Sequence, residues 1–138
     1  MKIGFTGTQI GLTLHQQGEV KRILVEVWSK LLPEETIEFH HGDCIGSDAQ
    51  AGSIASLLGC IIHVHPPIDA RKRAYAKGNV TYAPKEYIER NHNIVDLCNL
   101  LIATPRSKDE EIRSGTWATI RYARKRNIPI ILITPNGA

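Results

Sequence analysis

The sequence predicts a single α/β domain over residues 1–138, a doubly wound parallel sheet of about five strands flanked by helices. Three observations carry this. Strand and helix patterns alternate strictly along the chain. The strands are apolar and β-branched, as strands buried on both faces must be. The clusters rich in glycine, serine and threonine fall just after strand ends, where ligands bind in such sheets.

Lys2 to Phe5 reads as the first strand. Thr13-Leu14-His15-Gln16 has the capping-box pattern, and Val20, Ile23, Leu24, Val27 and Leu31 then follow helical spacing until Pro33 stops the helix. Thr36 to His40 reads as a strand. Ser47 to Leu58 reads as a helix with Ala51, Ile54, Ala55 and Leu58 on one face. Cys60 to His65 is a β-branched strand ending at Pro66-Pro67, and a long connection runs to about Pro84. Lys85 to Cys98 is helical, Leu100 to Thr104 a strand, Ser114 to Arg126 a helix and Ile128 to Thr134 a last strand. This is a Rossmann-like order.

The bulk numbers exclude several classes. Hydrophobic residues make up 42% and charged residues 22%, ordinary for a globular domain. No apolar run has membrane-spanning length, and Met1-Lys2-Ile3-Gly4 opens no signal peptide. Three widely spaced cysteines, Cys44, Cys60 and Cys98, make no disulfide framework and fit a reducing cytoplasm. A net charge of +3 favours an anionic ligand and is too weak to argue for nucleic acid.

The most informative stretch is Arg113-Ser114-Gly115-Thr116-Trp117, which opens a helix after a strand and loop. Ser114 is a good N-cap, and the bare N–H groups at Gly115 and Thr116 make an anion site. Thr6-Gly7-Thr8 is a second strand-to-helix turn, without the lysine of a phosphate-binding P-loop. In His41-Gly42-Asp43-Cys44-Ile45-Gly46-Ser47-Asp48, glycines flank a carboxylate, and Ser47 or Asp48 starts a helix. Asp43 or Asp48 can accept ribose hydroxyls; the plainer reading is that Asp48 caps a helix and Asp43 closes a turn. Arg90 shares a helix face with Tyr87, Ile94 and Leu97, so it must find an anion or pair with Asp43, Asp48 or a glutamate. The long connection is expected to bring it to the cleft and to serve as a lid or an oligomer contact. His40 and His41 point to opposite faces of their strand. His63 and His65 share a face, but with Cys44 they lack zinc-ligand spacing, so no metal and no cofactor are expected. Trp28 is read as core; Trp117 packs against a base or under the sheet.

These residues resemble the SLOG superfamily, which embraces the Lonely Guy phosphoribohydrolases and the DNA-processing protein DprA. The resemblance rests on Glu89-Arg90-Asn91-His92-Asn93-Ile94-Val95-Asp96, Leu101-Ile102-Ala103-Thr104-Pro105 and Ser114-Gly115-Thr116, with the turns at 6–8 and 41–48. It spans nearly the whole chain and is nearest to small bacterial and phage members. It implies a Rossmann-like fold, a nucleotide-derived ligand at the carboxyl edge of the sheet, and a homo-oligomer. Arg90 matches the arginine of Lonely Guy enzymes by spacing. Their Pro-Gly-Gly-x-Gly-Thr-x-x-Glu motif supplies a catalytic glutamate, and that position falls here on Thr119, which cannot do acid–base work at neutral pH.

The expected function is therefore binding of a nucleotide-like small molecule, a nucleoside phosphate, an ADP-ribose-like molecule or a cyclic nucleotide. The expected ligand contacts are Gly7, Thr8, Gly42, Asp43, Gly46, Ser47, Asp48, Arg90, Asn91, Ser114, Gly115 and Thr116. The first alternative is a phosphoribohydrolase using Arg90 and Asp43. The second is single-stranded DNA binding of the DprA type, which the absence of an aromatic-interleaved basic groove disfavours.

Overall fold

A computed structural model describes residues 1–137. Strands β1 (Lys2–Gly7), β2 (Glu38–His41), β3 (Ile61–Val64), β4 (Val80–Thr81), β5 (Leu100–Thr104) and β6 (Ile130–Leu132) alternate with helices α1 (Leu14–Lys30), α2 (Ser47–Leu57), α3 (Tyr87–Leu97) and α4 (Gly115–Lys125). One connection departs from the alternation: between β3 and β4 a single 3₁₀ turn, Ala70–Lys72, stands where an α-helix would be. The sheet is wholly parallel in the order β4-β3-β2-β1-β5-β6. The expected doubly wound fold is thus found with six strands. The extra strand, β4, lies inside the 66–84 connection and is two residues long, too short for periodicity to reveal.

The elements form for the reasons their sequences give. The Thr13 side chain accepts from the Gln16 N–H while the Gln16 side chain accepts from the Thr13 N–H, closing the capping box of α1. Ser114 caps α4 by accepting from the Trp117 N–H at 3.3 Å. Helices α1 and α2 pack together on one face, α3 and α4 on the other. Under α1 and α2 lies the main core of Ile3, Phe5, Phe39, Ile62 and Val64 against Val20, Ile23, Leu24, Ala51 and Ala55. Under α3 and α4, Leu101 meets Val95, Cys98 and Ala123, and Ala103 meets Trp117 and Ile120. Trp117 therefore packs under the sheet. Trp28 is half-buried at the margin of the main core. The three cysteines are free and buried. Among the described residues no helix is long and apolar enough to cross a membrane.

Gly46 fixes the entry to α2. Its φ of 93° belongs to the left-handed half of backbone space, and an added Cβ would collide with the Gln9 carbonyl group. Both objections hold for any side chain, so Gly46→Ala should lose about 2–4 kcal/mol of stability in urea unfolding. A loss under about 0.5 kcal/mol would mean the turn relaxes freely.

Candidate functional site

The strand order runs outward in opposite directions from β1 and β5, so the crevice beyond Gly7 and Thr104 is the topological switch point. A cleft of about 350 Å³ opens there, within the range of small-molecule sites. One wall is the turn Gly7-Thr8-Gln9-Ile10. The other is Arg113-Ser114-Gly115-Thr116 at the start of α4. Gly7 lies between Ser47 and Thr104, whose buried hydroxyls have no hydrogen-bond partner. The N–H groups of Gly115 and Thr116 precede the first intrahelical bond and meet no acceptor among the described residues. Two cations border the cleft. Arg106 is held by Glu111 at 2.7 Å, whereas Arg113 has no ion-pair partner among the described residues.

Below the open cleft, a narrow cavity is lined by Gly7, Gly42, Cys44, Asp48, Tyr87 and Arg90. Arg90 is 2% exposed. It reaches this place because α3 runs antiparallel to the strands, and such a crossover helix begins at their carboxyl edge; the length of the 66–84 connection is not the cause. Its Nη1 donates to the Gly42 carbonyl and, at 3.2 Å, to the His65 carbonyl. Its Nε donates to Asn91 Oδ1 at 2.7 Å, and its guanidinium carbon stands 4.8 Å from the Tyr87 ring centroid. Of the two expectations for Arg90, an anion or a paired carboxylate, no ion pair is found among the described residues, and its direct partners include the carbonyls just beyond β2 and β3. Asp48 accepts from the Cys44 N–H at 3.2 Å. Burial pushes its carboxyl up to about 6, against the pull of Arg90. Burial and Asp48 together raise the Cys44 thiol, so this cysteine is no thiolate nucleophile at neutral pH.

Asp43 turns away from the cleft. Its buried carboxylate accepts from the Ala76 N–H at 2.9 Å and from Arg73 Nε at 3.1 Å, and its backbone has φ 54°. It ties the 66–84 connection to the sheet edge. Arg73 of this connection pairs with Asp43, while Arg71 and Lys72 are exposed.

Gly7, Thr8, Ser114, Gly115 and Thr116 thus meet around the cleft. Gly42, Asp48, Arg90 and Asn91 meet beneath it, Ser47 stands behind Gly7, and Gly46 serves the backbone next to Gln9. The open side of Gly115 faces the Tyr87 hydroxyl, so a side chain there would push on Tyr87. Past Tyr87 the cleft continues into a groove of about 410 Å³ between α3 and α4, where Thr119 Oγ1 donates to the Gly115 carbonyl at 2.9 Å. Sequence reasoning missed Tyr87, Thr104, Arg106 and Arg113 as lining or neighbouring residues. Arg113 was legible in principle, being the residue just before the N-cap.

No protein-family model matches the chain, and no curated protein does. Solved structures share its fold. One is the molybdenum cofactor binding protein of the phototrophic bacterium Rippkaea orientalis, 18% identical with a TM-score of 0.69, covering 96% of this chain and 76% of that one. Another is the structural genomics target TM1055, 14% identical with a TM-score of 0.61, covering 94% and 71%. A third is DNA processing protein A from Helicobacter pylori, described for its single-stranded DNA binding, 16% identical with a TM-score of 0.64, covering 96% and 64%. At these identities the likeness is one of fold, and it is the Rossmann-like fold that the sequence resemblance implies.

Proposed function

We propose that this chain binds a nucleotide-derived ligand, a nucleoside phosphate, an ADP-ribose-like molecule or a cyclic nucleotide, to sense or sequester it. The observation that carries this is the start of α4 opposite the Gly7-Thr8 turn at the switch point, where two N–H groups and the neighbouring Arg113 meet no partner among the described residues. The phosphate would rest on Gly115 and Thr116, and Arg113 would add a charge-assisted contact. Asp48 is the carboxylate left for a ribose hydroxyl, since Asp43 is already held by Arg73.

The test is mass spectrometry of the purified protein mixed with a nucleotide panel, reading retained and released species. One nucleotide should be retained and recovered unchanged after denaturation. Arg113→Glu should weaken it by about tenfold or more, the loss of a charged contact to phosphate. Retention of no nucleotide at low salt, or full affinity in Arg113→Glu, would overturn this placement.

One observation favours a second reading. Asp48, with its carboxyl pushed up to about 6 beside Arg90, is suited to give a proton near neutral pH, as N-glycoside cleavage requires. A free base and ribose phosphate in the same experiment, lost in Asp48→Asn, would establish a phosphoribohydrolase with Asp48 in place of the family's glutamate.

A further inference from the structure

On the α3 side of the sheet, β2 and β3 carry a polar cluster unrelated to the cleft. The register pairs His40 with His63, so the two imidazoles lie side by side, with ring centroids 4.3 Å apart. Glu38 precedes His40 by two residues and shares its face. Its Oε1 stands 3.2 Å from His40 Nε2 and 3.4 Å from His63 Nε2, and the three potential ligand atoms all lie within 4.8 Å of one another. Two ligands held at the usual bond lengths of a tetrahedral zinc ion are separated by about 3.3 Å, from the geometry of the tetrahedron.

The other ring nitrogens are also placed as a metal site needs. His40 Nδ1 is 2.9 Å from His65 Nε2, and His63 Nδ1 is 2.9 Å from the Tyr82 hydroxyl. A metal-bound imidazole ordinarily donates its second N–H to such a partner, which fixes its tautomer and orientation. The Tyr82 ring in turn stacks on His65, with centroids 4.1 Å apart. From this geometry we infer that Glu38, His40 and His63 bind a zinc-like divalent transition-metal ion, with its fourth position open to water. The ligand set, two imidazoles and one carboxylate, is one that zinc takes with an open position. Burial keeps the imidazole of His40 neutral, its pKa down to about 4, and lowers that of His63, so both offer lone pairs at neutral pH. Lys2, opposite Glu38 in the β1–β2 register, is a cation that acts on both histidines, and it opposes the ion.

The site was not expected from the sequence. The linear spacing of His63 and His65 with Cys44 has no zinc pattern, and Cys44 lies in the cleft beside Arg90. The ligands come together only through the register of two strands 23 positions apart, as the pairing of His40 with His63 shows.

The experiment is zinc titration of chelator-treated full-length protein against a chromophoric competitor, with cobalt(II) substitution read by visible absorption. One equivalent of zinc should bind, and cobalt should give the intense bands of a four-coordinate site. Glu38→Gln and His63→Gln should each weaken binding by about tenfold or more, and Tyr82→Phe by a smaller factor. Lys2→Ala should tighten it. Glu38 is partly exposed and tolerates the isosteric change, so it decides the matter if His63→Gln does not fold. No saturable zinc binding, or equal binding in Glu38→Gln, would overturn the site.

Discussion

Metal-free protein, kept in chelator, is expected to lose most of its stability between pH 7.5 and pH 5. His40, His41 and His65 are almost wholly buried. Burial lowers them to about 4, about 4 and about 3, each from an ordinary 6.5. A group whose folded pKa is depressed gives stability that is present above its unfolded pKa and is lost as pH falls toward the folded one. Between pH 6.5 and pH 4 the unfolded chain binds protons that the folded chain refuses. At pH 5 each such histidine has withdrawn about 2 kcal/mol. Asp48 works the other way. Its raised carboxyl is most at ease when protonated, so acidification returns about 1 kcal/mol by pH 5. The net loss is on the order of 5 kcal/mol, comparable with the whole stability of a small domain. Thermal unfolding followed by the fluorescence of Trp28 and Trp117 should show a fall of about 10 °C or more over this interval. A flat profile would mean that the imidazoles ionise inside the folded protein.

Arg90→Leu is expected to cost about 2–4 kcal/mol, even though it removes no ion pair. Two carbonyl groups at the sheet edge, those of Gly42 and His65, would lose their buried donor, and Asp48 its nearest positive charge. Arg90→Lys should rescue little, because one ammonium cannot span both carbonyls and Asn91 Oδ1 from the same helix position. Urea unfolding of both variants checks this. If Lys restores full stability, the guanidinium acts only as a charge. Arg90 is the largest of the influences that hold the Asp48 carboxyl down, ahead of the backbone hydrogen bonds from Cys44 and Gly42, so Arg90→Leu should push that carboxyl higher still.

Much of this molecule was legible in the chain. The capping box at Thr13, the apolar spacing from Val20 to Leu31 and the cap at Ser114 are local signals, and the structure carries each one. The three Gly-bearing turns share the carboxyl edge, because every helix here returns the chain to the next parallel strand. What stayed hidden depends on pairings that no local pattern states. The strand Val80–Thr81 exists only because β3 offers it an edge. Helical spacing turns Arg90 inward, but the carbonyls of Gly42 and His65 that it meets there have no sequence signature. The glycines that flank Asp43 are visible in the sequence, whereas the Arg73 that donates to it lies 30 positions on. The histidine ladder is likewise a matter of register.

The two outer strands have a bearing on how copies of this chain can associate. An open sheet normally presents unsatisfied N–H and C=O groups along its margins, a template onto which foreign strands add. Here one margin is only Val80–Thr81 and the other only Ile130–Leu132. Pro84 follows the first after two residues, and Pro129 immediately precedes the second. Proline has no N–H to give, so an incoming strand would find few rungs before the ladder stopped. Strand addition is thereby discouraged on both sides. Contacts between copies of this chain are steered away from the sheet margins and toward helices and loops.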